Sequence, residues 1–193
     1  MKKILVCATL AAASLLFESQ ARAFTLPAEL KAELPAGALA GQARMSVWGF
    51  DVYDASLWVA PGFAAEAYPR HAFALELSYL RSLRGHDIAQ RSITEMRRQA
   101  SISSQDQARW ESEMRAVFPD VKPGDRITGI NQPGRGALFL GNGRVLGEIR
   151  DPEFSRLFFG IWLAPQTSEP ALRLTLLSGL ASMPARAKPA TMP

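Results

Sequence analysis

Chemistry in this chain has to be sought among few candidates, and the pair that stands out is Arg44 with Tyr53, nine positions apart in two successive alternating stretches. A guanidinium on the apolar side of a sheet is tolerated only when paired with an acid or a bound anion, because an unpaired buried charge is very costly. Its planar fork of donors matches a carboxylate, and a tyrosine hydroxyl adds a neutral donor, so an inward Arg44 with Tyr53 would hold an acid headgroup. Periodicity also permits, and by itself favours, Arg44 on the solvent face with Tyr53 a plain strand aromatic. The carboxylate reading stands or falls with that orientation.

Other chemistries lack their parts. Two histidines, His71 and His86, and a single cysteine, Cys7, do not make a transition-metal site, which wants three or four N or S ligands. His86 reads as a solvated loop residue ahead of a helix. Nucleophile-elbow, phosphate-loop and dinucleotide signatures are missing. Gly134-Arg135-Gly136 has no helix pattern behind it to aim a dipole at a phosphate and reads as a hairpin turn. Arg81, Arg84, Arg91, Arg97 and Arg98 are interleaved with Asp87, Glu95 and Asp106 and lack stacking aromatics, which describes a solvated helix face rather than a nucleic-acid surface. No cofactor, metal or catalytic residue is assigned.

The elements that must position Arg44 and Tyr53 are legible from hydrophobic period. Residues 44–48 and 51–59 alternate around a tight break at Gly49-Phe50, and residues 73–80 present Phe73, Leu75, Leu77 and Tyr79 to one side, giving three strands. Beyond Gly85 the period turns helical, with Ile88, Ile93, Met96 and Ala100 on one face and Arg91, Glu95 and Arg98 on another. A second helix follows Ser103-Ser104, with Gln107 three residues beyond Ser104 as in a capping box and Trp110, Met114 and Val117 as its apolar stripe. Short strands then cover 126–130, 136–140 and 144–149, the last two joined by Gly141-Asn142-Gly143, a two-residue turn signal. Asp151-Pro152 opens a third helix carrying Phe154, Leu157, Phe158, Ile161 and Trp162, and Pro170 a fourth carrying Leu172, Leu176 and Leu177. Strands, two helices, hairpins and two helices make an α+β fold, helices covering an antiparallel sheet.

The chain has 193 residues, 48% hydrophobic and 21% charged, with a mean hydropathy of −0.01, which is globular composition. Met1-Lys2-Lys3, the apolar run from Ile4 to Phe17 and Ala21-Arg22-Ala23 form an export signal cleaved before Phe24. About 14 apolar residues are too few for the ~20 of a bilayer span. Removing 23 residues leaves 170, without cysteine, so a product in an oxidising compartment would rest on packing alone. The net charge of +4 falls to +2 once Lys2, Lys3, Arg22 and Glu18 leave, weak evidence for a nucleic-acid partner. The expected organisation is a signal peptide over 1–23, a surface lead-in over 24–41, one domain over 42–180 and a disordered tail over 181–193, the mature product being periplasmic, with no transmembrane segment.

Arg44-Met-Ser-Val-Trp-Gly-Phe-Asp-Val-Tyr-Asp-Ala-Ser-Leu-Trp58 and Gly147-Glu-Ile-Arg-Asp-Pro-Glu-Phe-Ser-Arg-Leu-Phe-Phe-Gly-Ile-Trp-Leu163 resemble the chalcone isomerase-like proteins, in their bacterial exported branch. The similarity runs from about Gly41 to Gly179. It implies an open-faced β-sandwich with a cleft between sheet and helices, in which plant isomerases close a flavanone ring by intramolecular addition and related proteins bind fatty acids. Arg44 falls at the family's cleft arginine, with a shorter spacing to the next strand. Tyr53 falls where isomerases carry threonine and fatty-acid binders carry tyrosine. The isomerase tyrosine, lysine and asparagine of the first helix fall near His86, Ala89 and Ile93, and none matches.

The resemblance therefore implies a non-catalytic protein holding a fatty acid or similar apolar carboxylate, with Arg44 and Tyr53 at the headgroup and Ile88, Ile93 and Met96 along the tail. Burying ten methylenes at about 0.8 kcal/mol each is worth on the order of 8 kcal/mol before costs. The alternatives are an isomerase or lyase acting on an enone, Arg44 polarising its carbonyl, and an accessory module that docks on a membrane or a protein.

Overall fold

In the computed structural model, residues 25–183 are described. The expected signal peptide and most of the expected tail lie outside them. Six strands form as expected and pair antiparallel in chain order: β1 (Ala38–Val47), β2 (Phe50–Val59), β3 (Phe73–Tyr79), β4 (Arg126–Gln132), β5 (Gly136–Gly141) and β6 (Arg144–Ile149). Helices α1 (Gly85–Met96) and α2 (Ser104–Val117) are inserted between β3 and β4, and α3 (Pro152–Leu163) and α4 (Pro170–Leu177) follow β6.

Register assigns each strand residue to a face. The row Leu57, Leu75, Gly129 and Phe139 belongs to the inner face, and Phe159 of α3 crosses that row so closely that a Cβ on Gly129 would lie 3.0 Å from its ring. The buried aromatics interlock by edge-to-face contact: the Phe139 ring is 5.0 Å from Phe118 and 5.2 Å from Phe158. Leu30 and Leu34 of the lead-in cross the other face, burying Trp58, Ala74, Ile130 and Leu140 as a second core. The expected wrap is thus a covering layer, tied down by Arg126, which bridges Glu76 of β3 and Glu29 of the lead-in.

Three local expectations are adjusted. The first strand starts at Ala38, earlier than the alternation shows, because Ala38, Ala40 and Gly41 are too small to reveal a period; Gly41 is also where α4 approaches, and a Cβ there would meet the Thr175 carbonyl at 2.4 Å. The cap of α2 is Ser103, whose hydroxyl accepts from the Asp106 amide at 3.0 Å, not Ser104. The packed chain continues past 180, with Leu180 and Met183 against the main core. Elsewhere the local chemistry reads as expected: Asp151 accepts from the amides of Glu153 and Phe154 to start α3, and Asn142 and Gly143 take positive φ in the β5–β6 turn.

The β1–β2 turn is the unusual one. Trp48 and Gly49 have φ of 50° and 80°, a geometry that favours Asn-Gly. A tryptophan there costs roughly 1–3 kcal/mol of backbone strain, and its side chain is 95% exposed.

Candidate cleft between sheet, first helix and third helix

A cleft of about 680 Å³ opens between the inner face of β1–β3, α1 and α3, within the range of small-molecule sites. Leu77, Tyr79, Ile127, Phe118 and Phe158 form its apolar wall, and Val47 and Trp48 of the hairpin also line it.

A β-bulge decides which residues of β2 reach this space. Met45 pairs with Tyr53 and Ser46 with Asp51, so Val52 is the extra residue. Val52 and Tyr53 consequently both line the cleft, and the alternation is reset for the residues before them. Asp51 and Asp54 then share the outer face with Arg44 and Ser46. Arg44 Nε donates to Asp54 at 2.7 Å and its Nη1 to Asp51 at 2.9 Å, while the Ser46 hydroxyl donates to Asp51 at 2.6 Å.

Arg44 is therefore corrected: it is about half exposed, neutralised by two carboxylates of the chain itself, and does not line the cleft. Its guanidinium is held charged chiefly by Asp54, and the Asp51 carboxyl is held below the usual carboxylate range chiefly by the Ser46 hydroxyl.

Tyr53 does face the cleft. Its hydroxyl accepts from Trp162 Nε1 at 3.0 Å, and its ring meets Tyr79 edge-on at 6.2 Å. Burial pushes its pKa up to about 12, partly offset by the Trp162 hydrogen bond. Tyr79 is raised further, again by burial. Tyr53 thus stays neutral at physiological pH, a donor rather than a base.

This raised pKa makes stability fall in alkali. From pH 10 to about 12 the unfolded chain gives up a proton that the folded chain keeps, so stability is whole below pH 10 and declines above it. Tyr53→Phe should flatten this decline by on the order of 2–3 kcal/mol across the window, read from urea unfolding at successive pH values; a variant as alkali-sensitive as the parent would contradict the burial.

On α1 two neighbouring stripes have different fates. Ile88, Arg91, Ser92 and Glu95, spaced i, i+3, i+4 and i+7, line the cleft. Ile93 and Met96, expected on the ligand wall, are instead sealed in the core with Ala89. Glu95, expected on a solvated face, is buried, and pairs with Arg91 at 2.7 Å. Period alone merged these stripes, although the i, i+3, i+4, i+7 spacing of the polar trio with Ile88 was a usable signal. His86 lies in the first turn of α1, exposed.

Charge is uneven along the cleft. Glu169, Glu95 and Arg91 act electrostatically on Tyr53; Glu95 is paired with both Arg91 and, at 3.7 Å, Arg98, which leaves Glu169 as the carboxylate without an ion pair among the described residues, and its field does not attract an anion. At the mouth Arg81 stands over the Phe50 ring at 5.5 Å and joins no ion pair among the described residues; Asp87 is occupied by Arg84 at 2.8 Å. Sequence reasoning placed Arg81 on a solvated face and missed it as a cleft residue.

A shallower depression of about 440 Å³ lies beside Asn131 and Ser155. Its buried amide is already satisfied: Asn131 Nδ2 donates to the His71 carbonyl at 2.7 Å, and its Oδ1 accepts from Ser155 at 2.6 Å. Among the described residues no group of three or more acidic, histidine or cysteine side chains could hold a metal ion, and no helix is long and apolar enough to cross a membrane.

Residues 20–178 match a family model described as chalcone isomerase-like. An uncharacterized protein of Haemophilus influenzae is 34% identical over 131 residues, a match covering 67% of this chain and 63% of the relative's length. The crystal structure of a fatty-acid-binding protein of Arabidopsis thaliana superposes with a TM-score of 0.62 at 13% identity, covering 82% of this chain and 94% of that one. That likeness confirms the expected α+β fold, an antiparallel sheet layered with helices.

Proposed function

The chain belongs to the chalcone isomerase-like family, and from that premise we propose that it binds a fatty acid or similar apolar carboxylate in its cleft without transforming it. The observation that carries this reading is the cleft itself: an aromatic and aliphatic wall from Leu77, Tyr79, Ile127, Phe118 and Phe158 opposite the polar stripe of α1, with Arg81, which joins no ion pair among the described residues, at its mouth. Arg81 takes over the headgroup role that Arg44 cannot fill. The carboxylate lies at the mouth with Arg81, away from Glu95 and Glu169, and the tail runs inward along Ile88, Leu77, Ile127 and Phe158. Tyr53 lines the cleft beside Tyr79, near Glu95 and Glu169, as a neutral donor. The Arabidopsis neighbour's ligand class is consistent with this use of the fold.

Titration of delipidated protein with saturated acids of increasing length tests the proposal. Affinity should rise with each methylene until the cleft is full. Arg81→Ala should weaken binding about fivefold, as expected for a partly solvated ion pair, whereas Arg44→Ala should leave affinity unchanged. Binding indifferent to chain length, or weakened by Arg44→Ala but not by Arg81→Ala, contradicts the assignment.

The proposal also sets the working protein in the periplasm, supported by the basic start, apolar run and Ala21-Arg22-Ala23. Protein recovered from a periplasmic extract should begin at Phe24. Recovery of the intact chain from the cytoplasm alone would overturn that placement.

A further inference from the structure

We propose that the β1–β2 hairpin tip, residues 47–50, inserts into the interfacial layer of a lipid bilayer and sets the mouth of the cleft against the membrane. This rests on the reading of the cleft as a site for an apolar acid, and adds where such a ligand enters and leaves.

The tip is apolar and exposed together: Trp48 is 95% exposed and Phe50 63%, with Val47 beside them. A tryptophan in the left-handed region of a tight turn serves neither packing nor backbone preference, since Asn or Gly fits that position without strain. Indole rings partition to the boundary between headgroups and hydrocarbon, where one end is apolar and the other wet.

Position and charge agree with this assignment. The last backbone hydrogen bond between the two segments runs from the Leu80 amide to the Val52 carbonyl at 2.9 Å, so the hairpin overhangs its neighbour by about two residues, roughly 7 Å. Val47 and Trp48 belong to the tip and to the cleft lining at once, which makes the protruding end and the mouth one feature. Asp51 and Asp54, the acids nearest the tip in the chain, are engaged by Arg44, while Arg81 beside Phe50 joins no ion pair among the described residues, so the charge beside the tip is positive, as an anionic membrane surface favours. A narrow tip of three apolar side chains falls well short of the ~800 Å² per partner of a stable protein interface, but it suits insertion.

Tryptophan fluorescence tests this directly. Of the four tryptophans, Trp58, Trp110 and Trp162 are buried and Trp48 alone is solvated, so an environment change at the tip dominates the spectral shift. Vesicles of phosphatidylglycerol and phosphatidylethanolamine added to the full chain should move the emission to shorter wavelength. Trp48→Asn should abolish the shift and lower vesicle affinity about tenfold or more. Asparagine suits the turn, so this loss is not a folding defect, and comparison of two full chains cancels any contribution of the apolar run from Ile4 to Phe17. Phe50→Ser should weaken vesicle binding with Trp48 still present as reporter.

An unshifted spectrum with vesicles overturns the anchor even if free acid binds in vesicle-free buffer, in which case the cleft reading survives alone. A shift that appears with rising protein concentration and no vesicles assigns the tip to a second copy of the chain and likewise overturns it. A vesicle-dependent shift without acid binding upholds the anchor and removes the cargo.

Discussion

Ile88→Trp should nearly abolish uptake of an apolar acid while leaving the chain folded. Ile88 is only partly buried and faces open space from α1, so the added ring enters the cleft and not the packed interior. Displacing about five methylenes of bound tail forfeits on the order of 4 kcal/mol, about a thousandfold in affinity. The same exchange at Ile93, one stripe away and 4% exposed, instead overfills the core and should cost roughly 1–3 kcal/mol of stability. Calorimetric titration with urea unfolding of both variants separates the two stripes. Undiminished affinity in Ile88→Trp would mean that the ligand lies elsewhere.

The second large effect is on the framework behind the cleft. Phe139→Ala should destabilise the fold by about 3–5 kcal/mol, lowering the thermal midpoint by roughly 10 °C. Phe139 is fully buried, its ring 5.0 Å from Phe118, 5.2 Å from Phe158 and 6.4 Å from Phe154. Two of those neighbours, Phe118 and Phe158, form cleft wall, so a cavity at 139 also loosens the surface that would receive the tail. A loss under about 1 kcal/mol would show that these rings do not depend on one another as their edge-to-face geometry requires.

Much of the fold was legible because its signals are local. Alternation located β1 to β3, Asn142-Gly143 the β5–β6 turn, and Asp151-Pro152 the start of α3. What escaped depends on register. One extra residue at Val52 resets the faces before Tyr53 and draws Asp51 and Asp54 together around Arg44, a consequence no period-two reading contains. On α1, Ile88 and Ile93 lie about 140° apart on a helical wheel, at opposite edges of its apolar face, and only the packing of α2 and α3 against that helix decides which of them meets open space. The family resemblance predicted a cleft between sheet and helices, but residue-by-residue transfer put its cation at position 44, where the chain supplies its own acids.

Native mass spectrometry of the protein taken from its own cells measures the central claim most directly. The account predicts a bound species whose mass is that of an apolar monocarboxylic acid, lost on delipidation, restored by adding the acid, and missing from Ile88→Trp. Only the bare chain in the native preparation, together with no uptake of any acid by the delipidated protein, would contradict it.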